Sequence, residues 1–240
     1  MSEYEKQIER IKLKLQLAKA KDKELKVFGS NRHGYVIKKP TSIKEVRAFE
    51  EKYCIDLPSC YKAFITQVGN GGTSYMNSAA GPYFGIFPLG ESIHELVDEP
   101  EKYLSGNCVL TPEMTDEFWN DLNRRIEEDE NISDEEYDKE KGKIFGGILP
   151  IGSQGCTYLH GIVLNGEYKG RVVNLDMDWQ KPKFTYEENF LDWYERWLDE
   201  VILGHLLEPA SWFGYSERSC EILEVSEMDV KPKRRFKFWR

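Results

Sequence analysis

The sequence predicts an α+β fold with a mixed or largely antiparallel sheet flanked by helices. Two observations lead there. Helical periodicity dominates residues 3–68, short β-branched and aromatic runs follow between 83 and 176, and a strong helix closes the pattern over 186–203. That order lacks the regular strand–helix alternation of a parallel sheet. The chain is also large and apolar enough for such a core. With 240 residues, 40% of them hydrophobic and 13% aromatic, it needs no metal or disulfide staple.

Residues 3–26 read as one charged helix. Ile8, Ile11, Leu15, Ala18 and Leu25 recur at alternating three- and four-residue steps, with Asp22 in the one polar slot. Such a stripe suits a helix docked on its own domain, a self-associating helix or a helix for a partner. Gly29 to Gly34 is a loop. Ser42 and Glu45 form a capping box that opens a helix over 43–53, with Ile43, Val46, Phe49 and Tyr53 on its apolar face. Leu57-Pro58 restarts the chain for a helix over 59–68 that buries Tyr61, Phe64, Ile65 and Val68. Gly69-Asn70-Gly71-Gly72 ends it. Tyr83 to Phe87 is an aromatic strand, and 91–104 is a helix divided by Pro100. Strands follow at 148–152, 157–164 and 171–176, the last two joined through Asn165-Gly166 and Gly170. The closing helix over 186–203 buries Phe190, Trp193, Trp197, Leu198 and Val201.

Charge divides the chain further. Residues 113–140 carry thirteen acids against Arg124, Arg125 and Lys139, with Phe118, Trp119, Leu122 and Ile126 on one side of a helical pattern. Lys231 to Arg240 holds six bases and no acid, interleaved with Phe236, Phe238 and Trp239. Their opposite signs allow an intramolecular contact. The expected organisation is a charged helix over 1–30, an α+β domain over 31–206 with an insertion at 105–143, and an extension over 207–240 with the basic tail.

Several function classes lose ground at once. A net charge of −9 disfavours a general nucleic-acid binder, which needs cations to neutralise phosphates. No apolar run is long enough to span a membrane, and the first residues lack a signal-peptide pattern. Five scattered cysteines without a CxxC pair read as reduced cytosolic thiols, and no cofactor is expected. No phosphate-cradling loop or GxGxxG is present. Gly152-Ser153-Gln154-Gly155 lacks the glycine spacing of a nucleophile elbow. Cys156, His160 and Asp176 contain the residue types of a nucleophilic triad, but four residues along one strand separate Cys156 from His160 by roughly 13 Å, too far for a hydrogen bond. Asp176 and Asp178, followed by Trp179, are a paired-carboxylate motif that more simply closes a strand with a turn. The four histidines show no ligand pairing.

Leu57-Pro58-Ser59-Cys60-Tyr61-Lys62-Ala63-Phe64 followed by Asn70-Gly71-Gly72 resembles the signature of the SUKH superfamily, domains similar to the yeast cell-wall assembly regulator. Tyr83–Leu89, Ile148–Ile151, Gly155, Gly170–Asp176 and the helix from Phe190 to Leu198 extend the resemblance over 40–203, with 105–143 as the insertion. It implies an α+β domain without catalytic residues. In bacteria it implies an immunity protein that neutralises a toxin, often a nuclease or deaminase; the eukaryotic branch implies an adaptor. A cationic toxin domain would meet the acidic insertion by charge. The candidate partner-binding residues are therefore Phe118, Trp119, Asp121, Glu127, Glu128, Asp129 and Glu130, together with Asp176, Asp178 and Trp179.

Overall fold

The computed structural model describes residues 4–129, 131–207, 213–215, 217 and 221–230. The basic-aromatic tail, Glu130 and Cys220 lie outside the described residues, and so does any contact between tail and insertion. Helix α1 (Glu5–Lys21) comes first, then the one-turn α2 (Ser30–His33), α3 (Ile43–Tyr53) and α4 (Ser59–Gln67). A single turn, α5 (Pro100–Tyr103), precedes the insertion helices α6 (Asp116–Glu128) and α7 (Asp134–Ile144). The sheet follows as β1 (Ile148–Gly155), β2 (Tyr158–Val163), β3 (Val172–Asp176) and the two-residue β4 (Lys183–Phe184). Helix α8 (Phe190–Leu203) and the short α9 (Glu227–Val230) complete it. The four strands pair in chain order and all antiparallel, which resolves the mixed-or-antiparallel expectation.

Local signals explain the best-placed helices. In α3 the Ser42 hydroxyl accepts from Glu45 N while the Glu45 carboxylate accepts from Ser42 N, completing the capping box. Pro58 stands at the N-cap of α4. The Asn189 side chain caps α8 by accepting from the amides of Leu191 and Asp192, and Gly204 ends it at φ 90°. The glycines of the Asn70-Gly71-Gly72 stretch serve a chain crossing: Lys38 N donates to Gly71 O and Asn70 N to Lys39 O. A Cβ on Gly69 would meet Lys38 O at 2.3 Å, and one on Gly72 would meet Ser78 O at 2.4 Å.

Strand alternation sends side chains to both faces of the sheet, and both are covered. Leu149, Ile151, Ile162 and Val172 join the larger core with α1, α3, α4 and α8, where Trp193, Tyr194 and Trp197 are almost wholly buried. Ile148, Leu159, Val163, Val173 and Leu175 face the other way, onto Phe87, Leu96, Leu110, Trp119, Ile144 and Phe145. The insertion thus supplies much of the cover for the second face.

Helix α1 packs on α8 through more than its apolar stripe. Ile8, Ile11 and Ala18 are buried, but so is Lys14. Its ammonium sits 2.8 Å from Glu195 and 2.6 Å from Asp199, and the Arg10 guanidinium grips both Glu195 oxygens at 2.8 and 3.0 Å. The arginine and lysine hydrogen bonds hold the Glu195 carboxyl below the usual range against the opposing effect of its burial. Such a cluster is costly to desolvate and costlier to break on one side.

Several expectations change. Helix α1 stops at Lys21, not 26, because the buried Asp22 carboxylate accepts from Lys26 N at 2.6 Å and from the Tyr35 hydroxyl at 2.9 Å, fixing a loop instead. Leu25 leaves the stripe at φ 53° and is exposed. Ile43, at the first turn of α3, is also exposed. Residues 83–87 form no strand: Tyr83 (φ 53°) and Gly85 (φ 100°) break the extended run, leaving isolated bridges from Ile86 to Ala79 and to Gly152. Between 91 and 104 only the turn begun by Pro100 is helical, although Ile93, Leu96, Val97 and Leu104 are buried. β1 and β2 form a tight hairpin whose turn is Cys156-Thr157, so Cys156 lies outside the strand.

Candidate partner-binding surface

The insertion is a helical hairpin with capped ends. The Thr115 hydroxyl accepts from Phe118 N and the Ser133 hydroxyl from Glu136 N. Asp116 and Glu117, and Asp134, Glu135 and Glu136, fill the two first turns, where the helix dipole favours negative charge. Arg125 ties the two helices, 2.5 Å from Glu136 and 3.4 Å from Glu140.

Trp119 fixes this hairpin to the body. Its ring is 3% exposed, and its indole N–H donates to the carbonyl of Trp179 at 3.0 Å. The Trp179 ring stacks on Trp119 and on Phe145 (centroids 6.4 and 5.6 Å) and meets the Tyr137 ring edge-on. Trp179 holds φ 67°, a conformation bulky residues rarely adopt, and these rings keep it there. Trp119 is buried, and Trp179 is half-buried with its ring packed on neighbouring aromatics.

The other expected residues divide by exposure. Phe118 is 47% exposed, and Asp121, Glu127, Glu128, Asp129 and Asp178 are exposed. Asp121 is offset by Arg124 at 2.6 Å, whereas Glu127, Glu128 and Asp129 have no ion-pair partner among the described residues. Asp121, Glu128, Asp129 and Glu140, with both arginines, border a cleft of about 490 Å³. Asp176 is buried at the end of β3, where Oδ1 accepts from the Thr157 hydroxyl (2.6 Å) and from Asp178 N (3.1 Å). It closes the turn, and with Trp119 it is taken out of the contact surface. Phe118 is thus exposed in the first turn of α6 and Glu127, Glu128 and Asp129 at its far end, about two and a half turns away, while Asp176 lies apart.

The nucleophilic triad does not assemble. Cys156 is exposed in the hairpin turn, while His160 is fully buried with Nδ1 3.0 Å from Asn174 Oδ1 and its ring against Trp193. Burial lowers the His160 pKa to about 3. A second buried histidine, His33, accepts from Tyr35 N at Nδ1, and burial lowers its pKa to about 4. Among the described residues no group of three potential ligands surrounds a metal position. Among the described residues no helix is long and apolar enough to cross a membrane.

One feature escaped the sequence. Arg32, Tyr75, Phe84, Ser153, Gly155 and Cys156 line a cleft of about 340 Å³, rimmed by Phe28, whose ring lies 5.6 Å from that of Phe84. Phe28 and Tyr75 are 58% and 55% exposed. Aromatics scattered over three turns gave no periodic signal; only the density of rings and turn residues over 75–84 marks them.

Among the described residues a four-stranded antiparallel sheet, with helices on one face and a helical insertion on the other, makes an α+β domain. A family model described as the SMI1 / KNR4 family (SUKH-1) matches residues 40–196, and the chain belongs to that family. No curated protein and no solved structure gives a significant match.

Proposed function

We propose that this protein is a non-enzymatic, cytoplasmic immunity protein that occludes a cognate bacterial toxin, of nuclease or deaminase type, whose surface is cationic. The observation that carries the reading is the exposed acidic end of α6, where Glu127, Glu128 and Asp129 have no ion-pair partner among the described residues, on a hairpin that is pinned through Trp119 and carries the exposed Phe118 ring in its first turn. A rigid acidic face competes with phosphate for a cationic groove and steers the encounter, raising association rates by about 10–10³-fold. The exposed ring is the kind of anchor that dominates interface energy. The stripe of α1, which on sequence alone also suited a partner helix, is consumed by α8, so the adaptor alternative loses that support.

The test is co-expression with the toxin domain encoded beside the gene, followed by association kinetics on the purified pair. Growth is expected to recover, and the on-rate to fall markedly between about 0.01 and 0.15 M salt, as the Debye length shrinks from about 30 to 8 Å. Absence of rescue and of a complex would overturn the role. A salt-independent on-rate would remove the hairpin from it.

A further inference from the structure

We propose that the groove along β4 is a second docking surface, which takes an acidic segment of a partner protein through its side-chain carboxylates. The inference does not depend on the hairpin reading, because it rests on charge of the opposite sign on another part of the molecule. The two edges of the sheet differ. Beside β1, Phe84 N donates to Ser153 O, Phe87 N donates to Ile151 O, and Ile86 bridges Gly152, so the 79–87 segment covers that edge. β4 ends the sheet on the other side, and no further strand pairs with it among the described residues. A groove of about 430 Å³ runs there, with Met114, Phe184 and Tyr186 as apolar walls and Arg171, Lys181 and Lys183 as its cations.

Arg171 is already positioned for an anion. Its guanidinium lies against the rings of Tyr168 (5.8 Å) and Phe184 (5.4 Å), and Nη2 donates to Thr185 O at 2.8 Å. Nε is enclosed and has no acceptor among the described residues. No carboxylate of the described residues forms an ion pair with Arg171 or with Lys183, whose ammonium bonds the Tyr215 carbonyl. Lys181 pairs with Asp116, an exposed residue at the start of α6. In a chain of net charge −9, two cations that pair with no carboxylate of the described residues on one groove, the first held between two rings, complement a carboxylate.

The backbone selects how the occupant binds. Pro182 has no N–H and Lys183 is charged, a combination that opposes addition of a further strand at this edge. The occupant is therefore held by its side chains, carboxylates on Arg171 and Lys183 and apolar groups on Phe184 and Tyr186. The apolar walls argue against a polyphosphate occupant, which has no apolar groups to lay against Phe184 and Tyr186.

The experiment is an NMR titration of the full ¹⁵N-labelled chain with a capped peptide of about ten residues alternating glutamate and valine, its lysine-for-glutamate counterpart, and inorganic phosphate. The expected result is saturable shifts at the amides of Lys183, Phe184 and Tyr186 and at the Arg171 Nε–H, seen with the glutamate peptide alone. Affinity should fall at least about tenfold in Lys183→Glu, an exposed site whose lost contact with the Tyr215 carbonyl leaves the chain folded at the titration temperature, and in Arg171→Gln. Equal response to the lysine peptide, full reproduction by phosphate at the same affinity, shifts spread over other surfaces, or no shift at millimolar peptide would each overturn the proposal.

Discussion

Acidification from pH 7 to pH 5 should remove about 4 kcal/mol of folding stability through two histidines alone. His33 and His160 are both fully buried, and desolvation lowers their pKa values to about 4 and about 3 from 6.5. Because the folded values are depressed, unfolding takes up protons below pH 6.5. The contribution is complete above that value and is lost as pH falls toward the folded pKa values. The linkage integral gives about 2 kcal/mol for each ring between pH 7 and pH 5, a large share of a total of about 5–15 kcal/mol. For His160, burial outweighs the opposing hydrogen bond between Nδ1 and Asn174 Oδ1, and Nε2 is enclosed without a partner among the described residues. Urea unfolding followed by tryptophan fluorescence at pH 7, 6 and 5 measures it, with histidine C2-proton shifts reporting titration in the native state. His33→Gln should flatten the slope of stability against pH by about one proton. A stability flat within about 1 kcal/mol over this range, or a native His160 signal titrating near 6.5, would refute the reasoning.

Other perturbations follow from the same packing. Lys14→Met leaves Glu195 and Asp199 short of a buried cation and should cost about 3–5 kcal/mol in urea unfolding; a loss below about 1 kcal/mol would mean that water reaches the cluster. Gly69→Ala drives a methyl group onto Lys38 O and should cost about 1–3 kcal/mol, read as a drop in thermal midpoint; an unchanged midpoint would show that the crossing gives way. Trp119→Ala should cost about 3–5 kcal/mol and raise hydrogen exchange across α6 and α7 more than across α8, whereas uniform exchange would show that the hairpin is held elsewhere.

How legible the fold was depended on whether a local signal and the tertiary structure agreed. α3, α4 and α8 carry their own caps, at Ser42, Pro58 and Asn189, and they begin where those residues place them or within a few positions. The segment 91–104 has apolar spacing without an effective cap, and it folds into turns that bury the same residues. Charge misled in a different way. Lys14, Glu195 and Asp199 lie on no apolar stripe in the sequence, yet all are buried, because α1 and α8 supply each other's counter-ions across 181 residues, a pairing that periodicity along one helix does not reveal. At the candidate site, residue type identified the acidic hairpin. It did not separate Trp119, which anchors, from Phe118, which faces out. That difference depends on where Trp179 stands, 60 residues along the chain.

The clasp between α1 and α8 also sets a timetable. Lys14 and Glu195 stand 181 residues apart, so α1 must wait through that length of synthesis before α8 exists to receive it. At ordinary synthesis speeds that interval is roughly 10–40 s. During it the lysine-rich helix remains without its mate, kept from aggregating by its own charge. The clasp closes only when the carboxylates of α8 arrive, so a product cut short before Glu195 would stay open there and invite degradation.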